Sequence, residues 1–395
     1  MRRFLFTTAA LLLFLFLPAR SQEEAAPVAM DSDSVRVSLV TCSPGTVIYE
    51  LFGHTAIRYE DRAQGIDIVF NYGVFSFETP HFVWRFVKGE TDYCLWAQDY
   101  PSFENEYLQR GSPVLLQELN LTPGEKRLLF ELLRINFLPQ NRTYRYNYFY
   151  DNCTTRARDI IEKCTGEGIR YNHLSDSLTF RQIIHRFTAG YPWSEFGIDL
   201  LIGAEADRKA TARQAMFIPL FLSRDFDGAT LADSAGTRPL VKGQHTVPPV
   251  GKLNSEDIFI SPFAAAVAVF VITLLLVWAE WKSGRRFWLW DILLYGVQGL
   301  AGCVIFFLTF FSTHPTVDSN WLLWVLNPLP LLYLPYMLFL LIKRRRDYYH
   351  AVSAALILLF FLASPLLPQA FNVAVYPYLA ALILRSIFHF FYYKR

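Results

Sequence analysis

Five apolar segments follow one another at the C-terminal end of the 395-residue chain and restrict its fold more than any other feature. They lie near residues 259–279, 290–311, 322–342, 350–368 and 373–391. An α-helix needs about twenty predominantly apolar residues to cross the roughly 30 Å of hydrocarbon in a bilayer. We therefore predict that residues 258–395 form an all-α bundle of five transmembrane helices.

Basic residues are unevenly distributed over the turns between these segments. Lys282, Arg285 and Arg286 follow the first segment, and the run KRRR follows the third. The turn at 312–320, STHPTVDSN, carries neither Lys nor Arg. Lys and Arg accumulate on the cytoplasmic side of membrane proteins, so the pattern agrees with a topology in which the domain before the first segment lies on the outer side.

The N-terminus has the organisation of a secretory signal peptide, which we assign to residues 1–21. Two arginines precede an apolar stretch at 4–17, and the small residues Ala19 and Ser21 offer a cleavage site. The alternative is an uncleaved membrane anchor.

The central part of the chain, residues 35–232, has the pattern of a globular α+β domain. The segments GHTAIRYE (53–60) and DIVFNYG (67–73) are strand-like and flank the polar DRAQG, which predicts a β-hairpin. Thr122 begins a capping box in front of leucines at helical spacing, which predicts a helix. Residues 233–257 carry Gly and Pro without periodicity and are predicted to be a linker.

The densest polar motif is YDNCTTR at 150–156, where Asp or Asn can cap a helix. A cysteine at a helix N-terminus lies at the positive end of the macrodipole, which lowers the pKa of its thiol. Cys153 is therefore a candidate nucleophile, and Arg156 adds positive potential to the same helix. The alternative is that Cys153 is a small buried residue or forms a disulfide with Cys164.

A cysteine nucleophile needs a base that is itself held by a third polar group. His54 lies beside a glycine at the start of a predicted strand, and pairing within the hairpin puts Asn71 roughly opposite. Asn71 is the preferred orienting residue, and Asp67 is the alternative. Taken alone, a single histidine is more often a structural residue.

Metal, cofactor and nucleic-acid binding are not indicated by the sequence. It contains no CxxC, no HExxH and no histidine pair at ligand spacing, so we predict no metal site and no cofactor. The formal net charge of +2 provides no basic stripe that would neutralise phosphates. We therefore expect no nucleic-acid partner.

The motifs taken together resemble the Lnb family of bacterial lipoprotein N-acyltransferases. FGHTAIRYED, DIVFNYGVFSF, YDNCTTRARD and FFSTHPTVDSNWLLWVLNPL occur in this order, so the resemblance covers most of the chain. It implies a permuted papain-like (NlpC/LRAT-like) fold for the extracytoplasmic domain. It also implies that Cys153 is the nucleophile and His54 the base, whereas Asn71 is proposed from the hairpin alone.

The resemblance further implies a reaction and a location. A fatty acyl chain would move from a phospholipid, through an acyl-thioester on Cys153, to the α-amine of a diacylglyceryl-cysteine lipoprotein. The enzyme would lie in the bacterial inner membrane with its catalytic domain in the periplasm. We expect Arg156 and, in the external turn, His314 and Asn320 to contact the substrates. The alternative for the turn is an interfacial segment with an aromatic belt.

Two other functions fit part of the same pattern. A membrane-anchored papain-like cysteine peptidase or amidase would use the same two catalytic residues, although one anchoring helix would suffice for it. A non-catalytic envelope binding module would keep Cys153 as a structural residue. Rapid alkylation of Cys153 near neutral pH would separate a reactive thiol from a structural one.

Overall fold

The structure is a computed structural model that describes residues 34–172, 177–233, 236–253, 259–343 and 345–392. The predicted signal peptide, residues 1–21, lies outside the described part of the chain. The described residues form a mixed α+β domain followed by five apolar helices. The predicted fold class, an α+β domain followed by a bundle of five apolar helices, is thereby confirmed.

An antiparallel sheet of seven strands forms the centre of the N-terminal domain. Its strands are β1 (Val35–Cys42), β2 (His54–Asp61), β3 (Ile66–Val74), β4 (Asp92–Asp99), β5 (Val114–Leu119), β6 (Thr143–Arg145) and β10 (Val241–Val247). Their spatial order is β10-β5-β1-β2-β3-β4-β6. A second, three-stranded sheet consists of β7 (Ile169–Arg170), β8 (Thr230–Asp233) and β9 (Gly236–Pro239).

Helices connect and cover these strands. They are α1 (Phe82–Lys88), α2 (Tyr100–Gln109), α3 (Pro123–Phe137), α4 (Cys153–Thr165), α5 (Phe180–Thr188), α6 (Pro192–Leu201), α7 (Ala212–Ala215) and α8 (Pro219–Asp227). The capping box predicted for α3 is present, because the hydroxyl of Thr122 accepts the N–H of Glu125 and the Glu125 carboxylate accepts the N–H of Thr122. A capping box of this kind satisfies two backbone donors that the helix leaves unpaired.

One face of the large sheet packs against α3 and α4. Leu39 and Ile57 of the sheet and Leu129, Leu133 and Ile161 of the two helices are fully buried in one core cluster. Burial of each such side chain contributes about 1.5–3 kcal/mol. This packing holds α4 against β2 and β3, and so fixes the position of the first residue of α4 relative to those strands.

Among the described residues, five helices are long and apolar enough to cross a membrane: Pro262–Ser283 (α9), Trp288–Phe311 (α10), Trp321–Ile342, Tyr348–Leu366 and Val375–Tyr392 (α13). The third span contains the regular helix α11 (Leu329–Ile342), and the fourth contains α12 (Tyr348–Ala363). These bounds agree with the predicted segments to within a few residues at each end. The prediction of five spans is confirmed.

The third span is interrupted near its outer end. A 3₁₀ helix, Trp321–Trp324, is separated from α11 by a break at Asn327. The Gln298 side chain of α10 donates to the carbonyl of Val325 at 2.7 Å, and the Asn327 side chain accepts the N–H of Leu329 at 3.1 Å. Irregular backbone at this depth is tolerated because protein groups satisfy its polar atoms.

The prediction of a linker over 233–257 is wrong for residues 236–247. β9 pairs with β8, and β10 pairs with β5, with Thr246 opposite Leu115, so that β10 extends the large sheet as an edge strand. Most side chains of β10 are exposed. An exposed edge strand is held mainly by its backbone hydrogen bonds, so its sequence lacks the apolar alternation on which the prediction depended.

The N-terminal domain is docked directly on the outer turns of the helical bundle. The N–H of Gly203 donates to the carbonyl of Thr316 at 2.5 Å, and the side chain of Asn320 donates to the carbonyl of Leu200 at 2.8 Å. A Cβ atom on Gly203 would lie 2.7 Å from the backbone of Ser319. Glycine is therefore needed for this close approach, and the domain is held at a fixed position over the bundle.

Candidate active site

The start of α4 positions Cys153. Asn152 is the N-cap, and its side-chain oxygen accepts the N–H groups of Thr154 and Thr155, both at 2.9 Å. The amide nitrogen of Asn152 donates to the carbonyl of Phe217 at 2.9 Å, which fixes the cap against the chain before α8. Cys153 is thus the first residue of the helix, where the macrodipole favours a negative charge on its sulfur.

The hairpin of β2 and β3 supplies the imidazole. The predicted antiparallel pairing of these two strands is confirmed. His54 opens β2, and its Nε2 lies 2.6 Å from the side-chain oxygen of Asn71 in β3. The His54 ring also stacks on the Tyr107 ring, with centroids 6.0 Å apart and planes inclined by 10°. These two contacts fix the ring and leave Nδ1 as the nitrogen available to a second partner.

The second partner of His54 is the Cys153 thiol. Burial of the sulfur raises the pKa of Cys153, but the charge of His54 and a hydrogen bond to His54 lower it. Hydrogen bonds from the backbone of Thr55 and the hydroxyl of Thr154 add to this effect and bring the pKa of Cys153 from 9.0 to about 7. Burial lowers the pKa of His54, but the charge of Cys153 and hydrogen bonds to Cys153 and Asn71 raise it overall. These opposite shifts favour a thiolate–imidazolium pair.

A large cavity opens beside this pair. Its volume is about 940 Å³, and Cys153, His54, Asn71, Gly73 and Tyr148 are among the residues that line it. Ligand sites usually measure about 300–1,000 Å³, so the cavity is at the upper end of that range. The Tyr148 hydroxyl is buried without a hydrogen-bond partner among the described residues. Burial raises the pKa of Tyr148 well above its ordinary value, so the hydroxyl stays a neutral donor.

Gly73 is a site residue that the sequence analysis missed. Its φ of 87° lies in the left-handed region. A Cβ atom at this position would lie 3.4 Å from Cβ of Cys153 and 4.0 Å from Cε1 of His54. The glycine therefore keeps the space between the thiol, the imidazole and the cavity open. The available signal was a glycine within a predicted strand, which often marks close approach of another group.

Two residues predicted near the site have their polar groups engaged elsewhere. Asp67, the alternative orienting residue, accepts two hydrogen bonds from Arg58 at 2.7 and 2.8 Å. The Arg156 guanidinium donates to Asp151 at 2.6 and 2.7 Å and lies 3.6 Å from the centroid of the Tyr144 ring. Arg156 does not line the cavity. Ion pairing and ring stacking thus hold the guanidinium in a structural contact, and a role of Arg156 in substrate binding stays a prediction.

The two residues predicted in the external turn also lie outside the cavity lining. Nε2 of His314 donates to the carbonyl of Phe86 in α1 at 2.6 Å. Asn320 is 6% exposed, donates to Leu200 and accepts the N–H of Leu322 at 3.1 Å. The turn therefore packs against the N-terminal domain, and His314 and Asn320 join that domain to the helical bundle. Contact of His314 and Asn320 with a lipid substrate stays a prediction.

A polar cluster at the domain–bundle junction brings His185, Glu195 and Asp199 within 4.8 Å of one another. The oxygens of Asp199 already accept hydrogen bonds from Arg181 at 2.8 Å, His185 at 2.9 Å and Asn372 at 3.0 Å. A bound cation would have to compete with the neighbouring guanidinium. We interpret the cluster as a hydrogen-bonded ion-pair network that ties α5 and α6 to the turn before α13.

All five cysteines of the sequence are free thiols. Cys153 does not pair with Cys164, whose sulfur donates to the carbonyl of Ile161 at 3.1 Å. Cys42 and Cys94 are likewise unpaired. The Cys153 thiol is therefore available for chemistry.

Comparison with known proteins adds two matches that together cover most of the chain. Residues 21–186 match the family model described as the Lnb N-terminal periplasmic domain. Residues 254–395 match the family model described as the Lnb transmembrane domain. No curated protein and no solved structure matches the chain. The two descriptions, with five candidate spans, indicate a multi-pass membrane protein whose N-terminal domain faces the periplasm.

Proposed function

The chain belongs to the Lnb family, and from this membership and the geometry of its cavity we propose that it is a lipoprotein N-acyltransferase. It moves a fatty acyl chain from a phospholipid to the α-amine of a diacylglyceryl-cysteine lipoprotein. The observation that carries the proposal is Cys153 at the start of α4 beside His54, which Asn71 holds at 2.6 Å. No metal or other cofactor is required for this chemistry.

The first half-reaction loads the enzyme. The Cys153 thiolate attacks the carbonyl carbon of a phospholipid acyl ester, and a carbon–sulfur bond forms. As the tetrahedral intermediate collapses, the ester carbon–oxygen bond breaks and the His54 imidazolium gives its proton to the departing lysophospholipid oxygen. The lowered pKa of Cys153, about 7, supplies a substantial fraction of thiolate near neutral pH.

Stabilisation of the oxyanion needs donors that are still free. The N–H groups of Thr154 and Thr155 are occupied by the Asn152 cap, so they are not available. The N–H of Cys153 has no backbone acceptor among the described residues. We assign this N–H and the unpartnered Tyr148 hydroxyl to the oxyanion, since each such donor contributes about 2.7–4 kcal/mol.

The second half-reaction releases the chain to the acceptor. The α-amine of the diacylated lipoprotein attacks the thioester carbon, and His54 takes the proton that the amine loses. The carbon–sulfur bond then breaks, and Cys153 is regenerated as a thiolate beside a protonated His54. Splitting the transfer in this way lets two bulky lipids use one cavity in turn.

The membrane part fits this chemistry, because neither lipid substrate leaves the bilayer. Moving an acyl chain into water costs about 0.8 kcal/mol per CH₂, so the thiol must operate at the membrane surface. The hydrogen bonds of Gly203 and Asn320 across the junction hold the domain there. We also propose that residues 1–21 direct the domain across the inner membrane and are then removed.

The direct test is detection of the acyl-enzyme. Full-length protein in phospholipid nanodiscs, without lipoprotein, should gain the mass of one acyl group on Cys153, and hydroxylamine should remove it. Cys153→Ser should show no such adduct. Cys164→Ser is the matched control, because it removes a thiol from the same helix but away from the cavity, and it should load normally.

Addition of a diacylated lipopeptide with a free α-amine should then discharge the thioester into an N-acyl lipopeptide. Release of free fatty acid in place of the amide would indicate a hydrolase instead. Absence of any adduct on Cys153, in protein whose thiol still alkylates, would contradict the proposed nucleophile.

A further inference from the structure

Two segments beside the cavity expose apolar side chains to an unusual extent. Residues 47–49 and 75–86, here called the apolar rim, expose Tyr49 at 58%, Phe77 at 64% and Val83 at 73%. Helix α1, which begins within the second segment, has no buried residue at all. Apolar patches of this kind on a globular domain mark an interaction surface.

The apolar rim continues from the cavity wall. Tyr49 and Phe75 line the cavity, and their rings contact each other with centroids 6.3 Å apart. The Phe75 ring stacks on Phe82 at 5.5 Å, and Phe82 stacks on Phe86 at 6.3 Å. A row of aromatic rings thus leads from the cavity along α1.

Another residue of helix α1 contacts the membrane-spanning helices. The Trp84 ring packs against Phe307, with centroids 5.0 Å apart. Phe307 lies in the span Trp288–Phe311, one helical turn before its outer end, so it is about 6 Å below that end. The N–H of Thr313, just beyond the span, donates to the carbonyl of Lys88 at 2.9 Å. Helix α1 is therefore held at the outer boundary of the hydrocarbon.

We propose that the apolar rim is a portal through which the acyl chain of a membrane glycerolipid slides from the outer leaflet to Cys153 without entering water. The occupant is an acyl chain because the large exposed side chains of the rim are aromatic and aliphatic, and because Trp84 joins the rim to Phe307 of α10. The cavity end of the portal lies at the thiol, so an ester carbonyl can reach Cys153 while its chain stays on the rim. This inference rests on the proposed function, which requires lipid esters at Cys153.

A cross-linking experiment tests the portal independently of activity. Full-length protein is placed in nanodiscs of phosphatidylethanolamine and phosphatidylglycerol that contain a phospholipid with a diazirine in its acyl chain. After irradiation, peptide mass spectrometry should locate adducts within residues 47–49 and 75–86. Adducts confined to the membrane helices would overturn the proposal. Cys153→Ser should give the same pattern, since cross-linking needs no catalysis.

Charged substitutions on the rim test its use in the reaction. Val83→Asp should lower acyl-thioester formation from nanodisc phospholipid by roughly tenfold or more, because a carboxylate resists contact with hydrocarbon. Leu128→Asp is the matched control, because Leu128 on α3 is 46% exposed and does not line the cavity. This variant should form the acyl-thioester normally. Because α1 contributes no buried residue, the fold should survive, and an unchanged rate of Cys153 alkylation would verify an intact site.

A second variant guards against a local effect at one position. Phe77→Asp, on the stretch before α1, should lower loading in the same way as Val83→Asp. Separate assays of loading from phospholipid and of discharge to a diacylated lipopeptide show whether donor, acceptor or both use the portal. Normal loading and discharge in both rim variants would overturn the portal but leave the acyltransferase intact. If the unmodified protein formed no acyl-thioester, the proposed function would be contradicted instead. The cross-links would still show whether acyl chains contact the apolar rim.

Discussion

Nε2 of His54 lies 2.6 Å from the side-chain oxygen of Asn71, so an amide on one strand fixes the imidazole that opens the neighbouring strand. A carbonyl oxygen can only accept, which requires the proton of the neutral imidazole to be on Nε2. Nδ1 then carries the lone pair and can take the proton of Cys153. The tautomer that the chemistry needs is thus selected by the β2–β3 hairpin.

Asn71→Ala should therefore slow acyl transfer strongly while the protein stays folded. Without the amide, the ring is free to adopt the wrong tautomer or orientation. We expect the rate to fall by roughly 10²–10⁴-fold, which is the usual contribution of a positioned general acid–base residue. The measurement is the initial rate of N-acylation of a lipopeptide in nanodiscs.

Asp67→Asn is the matched control for Asn71→Ala, because Asp67 lies on the same strand but pairs with Arg58. A partly exposed ion pair of this type contributes only about 0–1 kcal/mol to stability, so the variant should transfer acyl chains normally. The reverse result, with Asp67→Asn impaired and Asn71→Ala active, would exchange the roles of the two residues.

The alkylation rate of Cys153 should follow the ionisation of its thiol. The pKa of Cys153 is lowered to about 7, so the rate should rise through that pH and level off above it, because the thiolate is the reactive form. In His54→Ala the charge and hydrogen bond that oppose burial are gone, so the inflection should move to a pH near or above 9. An inflection unchanged by His54→Ala would mean that His54 does not stabilise the thiolate.

Tyr148→Phe tests the oxyanion donor. The substitution removes one hydroxyl from the cavity, where it has no hydrogen-bond partner among the described residues, so folding should be unaffected. Loss of one oxyanion donor lowers turnover by about 10²–10³-fold. Tyr150→Phe is the control, since its hydroxyl bonds to Glu205 outside the cavity lining. Equal rates for the two variants would remove Tyr148 from the mechanism.

Stability of the membrane part should depend on a buried charge cluster. Arg385 of α13 donates to Glu280 of α9 at 2.8 and 2.9 Å and to Asp291 of α10 at 2.5 and 2.8 Å. All three are at most 1% exposed. Arg385→Met would leave two carboxylates without this partner, and breaking such a buried pair costs about 3–5 kcal/mol.

Thermal unfolding in detergent measures this effect. Arg385→Met should unfold at a clearly lower temperature, whereas Lys282→Met, which changes an exposed charge at the end of α9, should unfold like the unmodified protein. Equal stability of Arg385→Met would show that the cluster does not hold the helices together.

Sequence patterns predicted those parts of the fold that local interactions determine. The β2–β3 hairpin follows from two strand-like segments around a polar turn, and the start of α3 follows from the capping box at Thr122. The proximity of His54 and Asn71 was a consequence of the hairpin alone. The membrane spans followed from length and composition.

Features that depend on tertiary contacts were not predicted. β10 has exposed side chains and is held by backbone pairing with β5, so no apolar periodicity revealed it. Gly73 matters only because Cys153 and His54 converge on it in space. The ion pair of Arg156 with Asp151 was not predicted either, because a sequence does not show which neighbour a guanidinium contacts.

We propose that this protein adds the third acyl chain to lipoproteins through Cys153. Mass spectrometry of lipoprotein N-terminal peptides measures that outcome directly, in bacteria that lack other N-acylating activity and produce either the unmodified protein or Cys153→Ser at matched levels. We expect triacylated N-termini with the unmodified protein and diacylated N-termini with a free α-amine in the variant. Triacylated N-termini in cells that produce Cys153→Ser would show that Cys153 is not the nucleophile of this transfer.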